Sequence, residues 1–275
     1  MTGPRQAACL LAAAAVAITG CSAQSSAGAR DVRRPPAAAA FDYQLGGPYR
    51  PTDAVRIVER DRTSEPVPGK YNICYVNAFQ TQPEQADWWR RKHPNLLVRK
   101  AGRAVQDPDW PGEYLLDTST AATRAALLKI VGPWLDGCAR KGFDAVEPDN
   151  LDSWTRRGAS GALTRAGNVS FARLLVHRAH SSGLAIAQKN TPQLKGTGRS
   201  SIGFDFAVAE ECEVYGECGR YTAAYGRSVI EIEYTDNGRA AYARACRAHS
   251  GEHSIILRDR DVVPKGIAGY AYSAC

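Results

Sequence analysis

The chain has 275 residues, and the roughly 235 that follow its polar N-terminal stretch are enough for one large domain with a substantial core. Its formal net charge of +7 suggests nucleic acid or an anionic surface at first glance. The distribution excludes this: Arg5, Arg30, Arg33 and Arg34 against Asp31 place +3 in residues 1–40, and the remaining +4 is scattered, with no basic run interleaved with aromatics.

Residues 1–21 read as a targeting segment. Arg5 precedes a short apolar run over 7–18, and Ile18-Thr19-Gly20-Cys21 ends it with small residues before a cysteine. This resembles a bacterial lipobox, which implies cleavage before Cys21, lipidation at Cys21 and a membrane anchor outside the cytoplasm. Ordinary secretion with cleavage near Ala23 is the alternative; the apolar run is about half the ~20 residues a membrane span needs. Residues 22–40, rich in Ser, Ala and Gly with paired Pro35 and Pro36, read as a flexible tether. Residues 41–275 then form a single domain without repeats, expected to act as a monomer.

Strand-like apolar runs are expected at 39–43, 71–77, 96–99, 143–147, 184–188, 204–209, 229–234 and 254–257. Helix-like stretches lie at 54–61, 83–92, 120–141, 168–182, 220–225 and 236–249, several opened by Ser, Thr, Asp or Asn caps. Alternation of this kind favours parallel strands with helical crossovers, and eight repeats favour a closed (β/α)8 barrel of the α/β class. The stretch 103–119 reads as an inserted loop with an extra strand at 114–117.

Of the eight cysteines, Cys9 falls in the targeting segment and Cys21 is the lipid candidate. The other six are even in number, as suits an oxidising compartment. Cys212 and Cys218 flank one short loop, Cys275 at the terminus can staple to Cys246, and Cys74 is left with Cys138. No CxxC occurs and the histidines are scattered, so neither a metal nor a cofactor is expected.

Active sites of such barrels lie at the C-terminal ends of the strands. The ends here are polar: Tyr43 and Gln44, Tyr75 and Asn77, Lys189 and Asn190, Glu210 and Glu211, then Glu231, Glu233 and Tyr234. The strand end in 142–154 (GFDAVEPDNLDSW) crowds Glu147, Asp149 and Asp152 around Pro148 and Asn150. Like charges that close shift one another's pKa values, which points to chemistry or cation binding. A solvated, capped turn is the plainer alternative. Paired carboxylates suit glycoside cleavage, because one protonates the leaving oxygen while the other attacks the anomeric carbon or activates water. No serine has a nucleophile-elbow context.

The motifs FDYQLGG at Phe41, YNICYVNAF at Tyr71, DWPGEYLLD at Asp109, GFDAVEPDNLD at Gly142, FAVAEECEVYGEC at Phe206 and EIEY at Glu231 resemble glycoside hydrolase family 114, the endo-α-1,4-polygalactosaminidases and their relatives. The resemblance runs in order over Phe41 to Cys275 and implies a (β/α)8 barrel that hydrolyses α-1,4-linked galactosamine polymers. It places the catalytic carboxylates on Asp149 (of PDN) and Glu210 (of EEC), and the sugar site on Lys189, Asn190, Glu233 and Tyr234. Tyr43, Gln44, Tyr75, Asn77, Asp117, Asn150 and Asp152 complete the candidate substrate-binding set. Two departures stand out: Glu211 replaces a glutamine, and Asp42 stands where an aromatic is usual, which would alter one side of the sugar platform. A rim of Glu147, Asp152, Glu211, Glu213 and Glu233 is expected to attract a cationic amino-sugar polymer. Asp149 is expected as the ionised nucleophile and Glu210, beside Glu211, as the acid/base of a retaining enzyme. A glycosidase of the same fold acting on a different glycan and a non-catalytic carbohydrate-binding lipoprotein are the competing readings.

Overall fold

The computed structural model describes residues 1–3 and 32–275, so Cys9, Cys21 and most of the expected tether lie outside the described residues. Eleven strands and five α-helices follow in chain order: β1 (Phe41–Tyr43), β2 (Ile57–Asp61), β3 (Tyr71–Asn77), α1 (Ala86–Lys92), β4 (Arg99–Lys100), β5 (Arg103–Ala104), α2 (Ala121–Lys141), β6 (Ala145–Asp149), α3 (Arg165–Ser181), β7 (Ala185–Lys189), β8 (Phe206–Glu210), α4 (Cys218–Tyr225), β9 (Val229–Tyr234), α5 (Ala240–His249), β10 (Ser254–Arg258) and β11 (Tyr272–Ala274).

The sheet order is β1-β2-β3-β6-β7-β8-β9-β10-β11, parallel throughout except for β11, which runs antiparallel on β10. The sheet curls into a nearly closed barrel. At the seam Ala39 N donates to Ser254 Oγ at 3.1 Å, and the Tyr272 hydroxyl donates to Phe41 O at 2.8 Å. The expected barrel is therefore present, with three corrections to the expected elements.

Residues 54–61, expected as a helix, contain β2 instead. Ile57 and Val58 are β-branched, and parallel pairing with both β1 and β3 satisfies the backbone on each side, which overrides a local helical reading. The run 96–99, expected as a barrel strand, is a 3-10 turn (Pro94–Leu96) leading into the small β4–β5 hairpin. Residues 114–117 form isolated antiparallel bridges to Gln106, Gln80 and Leu97 rather than a continuous strand. The barrel is also lean in helices: β1 to β2 and β2 to β3 connect without one.

Helix starts follow local chemistry. The Thr120 hydroxyl accepts from Thr123 N at 3.0 Å at the start of α2, and Thr164 accepts from Gly167 N at 3.1 Å at the start of α3. Gly142 ends α2 at φ +93°, a left-handed conformation that a glycine adopts without steric strain. Leu127, Val131, Leu135 and Cys138 on α2 pack with Phe171, Leu175 and Val176 of α3 in the layer outside the sheet.

All three disulfides pair as the sequence suggests: Cys74–Cys138 ties β3 to α2, Cys212–Cys218 closes the loop after β8, and Cys246–Cys275 anchors the C-terminal residue to α5. Residues 32–40 correct the expected tether boundary. Pro35 is buried, Val32 packs against the barrel interior, Arg33 pairs with Asp144, and the Tyr71 hydroxyl donates to Arg33 O at 2.7 Å. The packed unit thus begins by Val32, because these residues plug the N-terminal end of the barrel. Among the described residues no helix is long and apolar enough to cross a membrane.

Candidate active site

Alternate residues of a strand face the interior. On β6, β7, β8 and β9 that parity sends Glu147 and Asp149, Lys189, Glu210, and Tyr234 inward, the last ones at the C-terminal mouth. A cavity of about 320 Å³ opens there, lined by Tyr43, Tyr75, Asp149, Asn150, Lys189, Asn190, Glu210 and Tyr234 together with Trp110, Glu113, Arg156 and Arg260. A larger recess of about 620 Å³ lies at the opposite end, around Arg33, Arg56, Lys70 and Asp144, and holds no pair of carboxylates.

Lys189 organises the mouth. Its buried ammonium lies 2.6 Å from Glu147 Oε1, 3.4 Å from Asp149 Oδ1 and 3.5 Å from Glu210 Oε2, and donates to the Tyr43 hydroxyl at 3.1 Å. Burial alone would lower its pKa; Asp149, Glu147 and Glu210 outweigh burial and hold it well above the ordinary lysine value.

Asp149 accepts from the Tyr75 hydroxyl at 2.7 Å. Burial pushes its carboxyl up, but Lys189, the Tyr75 hydroxyl, a backbone bond from Asn150 and the charge of Arg156 together hold it below the usual aspartate range. Glu210 accepts from the Tyr234 hydroxyl and, at 3.0 Å, from Asn190 Nδ2, while Asn190 Oδ1 accepts from Glu210 N at 2.8 Å. Asn150 and Asn190, at φ +61° and +45°, turn the chain sharply just past their strands. Asn150 also donates to Asn77 Oδ1 at 3.0 Å.

Glu113 escapes a reading based on strand ends, since it sits on the loop before α2. It lines the cavity and accepts from Asn77 Nδ2 at 3.0 Å. Burial, then the Asp149 charge, push its carboxyl up to about 7, with the Asn77 hydrogen bond opposing them. Trp110, 49% exposed, offers an indole face at the rim. The motif DWPGEYLLD is the available sequence signal for both residues.

Several expected site residues lie elsewhere. Gln44 is buried beside the barrel, donating to Asp42 Oδ2 at 2.9 Å and accepting from Arg60 Nε at 2.9 Å. Asp42 also takes the Tyr49 hydroxyl and does not line the cavity. Asn77 lies beneath the rim and orients Glu113 and Asn150. Asp117 caps a turn, accepting from Ser119 N at 2.9 Å. Glu233, one position out of phase with Tyr234, is buried outside the sheet and accepts from Glu213 N at 3.0 Å. Asp152 pairs with Arg156 at 3.2 Å and does not line the cavity.

The expected acidic rim is largely neutralised. Glu211 turns to Arg260, which donates to it at 2.7 and 3.0 Å, and Glu213 meets Arg244 at 3.4 Å. The carboxyls left facing the cleft are Asp149, Glu210, Glu113 and Asp261. Among the described residues Glu231, His249 and His253 could hold a metal ion, but Glu231 and His253 already bond to each other behind the sheet, away from this cavity.

A parallel barrel with two carboxylates converging at the strand C-termini is the architecture of a glycoside hydrolase. The sequence model of glycoside-hydrolase family GH114 matches residues 22–275, and the chain belongs to that family. The crystal structure of Ega3 from Aspergillus fumigatus in complex with galactosamine shares the fold with a TM-score of 0.69 at 24% identity, covering 89% of this chain and 98% of that one. The glycoside hydrolase domain of PelA from Pseudomonas aeruginosa shares it with a TM-score of 0.58 at 16% identity, covering 84% of this chain and 97% of that one. No curated protein sequence matches the chain.

Proposed function

We propose that this glycoside hydrolase cleaves α-1,4-linked galactosamine-containing polysaccharide within the chain, with Asp149 as nucleophile and Glu210 as acid/base. The observation that carries the reading is the pair of carboxylates held on one ammonium, Lys189, at the mouth of the barrel. Asp149, kept ionised by Tyr75 and Lys189, attacks the anomeric carbon and forms a glycosyl ester as the glycosidic bond breaks. Glu210 gives its proton to the leaving oxygen, then takes one from the water that hydrolyses the ester. Asp149, held ionised at the mouth by Lys189 and Tyr75, suits direct attack, so retention is the outcome put forward.

The substrate class draws support from family membership, from the fold shared with Ega3, whose crystal structure holds galactosamine, and from Glu113 and Trp110 at the rim, which suit an ammonium-bearing sugar. Glu113 as the proton donor is the second reading, favoured by its carboxyl standing near 7. The lipobox-like Ile18-Thr19-Gly20-Cys21 supports an enzyme tethered by lipid on the outer face of the membrane. Reducing-end release from a panel of polymers tests the substrate: α-1,4-galactosaminan, its N-acetylated form and a uronide. Turnover of the uronide alone would overturn the assignment, and turnover of none would favour a binding protein.

A further inference from the structure

Glu59 sits midway along β2, fully buried among the inward-facing side chains of the barrel. The charged and titratable groups that face it are Tyr43 of β1, Glu147 and Asp149 of β6, and Lys189 of β7. Neither Glu59 oxygen receives a hydrogen bond from an N–H or O–H group, and neither does Oε2 of Glu147, whose Oε1 takes Lys189 at 2.6 Å. Glu59 and Glu147 both point into the barrel, fully buried, each with an oxygen that has no donor. Two carboxylates can only accept, so these oxygens bond to each other only with a proton between them.

Charge gives the same answer. One ammonium already serves Glu147 and Asp149, and a further carboxylate without a donor would be a buried, uncompensated charge. Burial acts on both glutamates and the Lys189 charge favours the ionised form of both, but Lys189 bonds Glu147 directly at 2.6 Å and Glu59 not at all, so the proton belongs on Glu59.

We propose that Glu59 is a permanently protonated carboxylic acid that donates to Glu147 Oε2, and that this buried acid acts as a positioning residue, holding Lys189 through Glu147 between Asp149 and Glu210. An ionised Glu59 would compete for the ammonium and draw it down the barrel, away from the mouth. Only the kinetic consequence rests on the reading of Asp149 and Glu210 as the catalytic pair.

Infrared difference spectra of the resting enzyme test the proton directly. Wild type should show a carboxylic-acid C=O band that persists from about pH 5 to about pH 9 and is missing in Glu59→Gln. A band that titrates away in that range, or that survives in Glu59→Gln, overturns the proposal. Kinetics test the positioning. Glu59→Gln, which keeps a donor to Glu147, should stay within about 3-fold of wild-type kcat, while Glu59→Leu should lose about 10- to 100-fold in kcat with little change in KM. Wild-type kcat in a folded Glu59→Leu protein sinks the positioning role. If Glu59→Leu does not fold, Glu59→Gln and Glu59→Asp replace it, since the shorter aspartate side chain stops short of Glu147 and should lose kcat where the glutamine variant does not. Asp149→Ala, assayed in parallel, separates the failures: its retained turnover removes the catalytic pair, while the infrared band still decides Glu59.

Discussion

Tyr75 donates its hydroxyl to Asp149 Oδ2 at 2.7 Å, from one strand of the barrel to the next. That bond stabilises the ionised carboxylate. Tyr75→Phe should therefore raise the Asp149 pKa and shift the acidic limb of the kcat/KM profile to higher pH by about one unit, the worth of one hydrogen bond to a charged group. An unmoved acidic limb would remove Asp149 as the group that must be ionised.

The two carboxylates are separated by an activated glycoside whose leaving group needs little protonation. Asp149→Ala should lose nearly all turnover, by about 10⁴-fold or more. Glu210→Ala should keep its glycosylation step and be rescued by azide. Azide rescue in Glu113→Gln, with none in Glu210→Ala, would transfer the acid/base role to Glu113.

Glu113, with its carboxyl raised to about 7, is neutral below that pH and ionised above it. As a partner for a sugar ammonium it binds better once ionised, so KM for a galactosaminan should fall as pH rises through about 7. The same titration with Glu113→Gln should be flatter. A parallel fall in both proteins would assign the effect to another group.

Glu233 is buried with Oε2 unpartnered, and burial first, then the charges of Glu231, Glu211 and Glu213, raise its carboxyl to about 7, opposed by the Glu213 N–H. Since the folded value is raised, its contribution to stability is complete below the unfolded value of about 4.5 and is lost as pH rises through about 7. Thermal melts of Glu233→Gln should show a smaller loss of Tm than wild type between about pH 5 and about pH 8. Its activity should stay near wild type, because the side chain lies behind the sheet; a dead but folded variant would place it back in the site.

Cys21→Ser tests the anchor. The variant should be released from the membrane fraction or accumulate unprocessed, and unchanged membrane association would refute lipidation.

Strand and helix alternation, the polar strand ends and the cysteine spacing are local properties, so the barrel, the polar mouth that holds Asp149 and Glu210 and all three disulfides were legible from residue order. Parity was not. Glu233 and Tyr234 are neighbours in sequence, yet the pleat sends one behind the sheet and the other into the cleft, and only the barrel's register decides which. The pairing of β2 with β1 and β3 likewise overrode a helix-like stretch, and in doing so carried Glu59 into the interior. Charge was decided last. Glu211 and Glu213 read as an acidic rim until Arg260 and Arg244, distant in sequence, closed on them, while Lys189 gathered carboxylates from two different strands onto one nitrogen. Electrostatic partners are chosen by distance in space, which is a property of the tertiary fold and not of spacing along the chain.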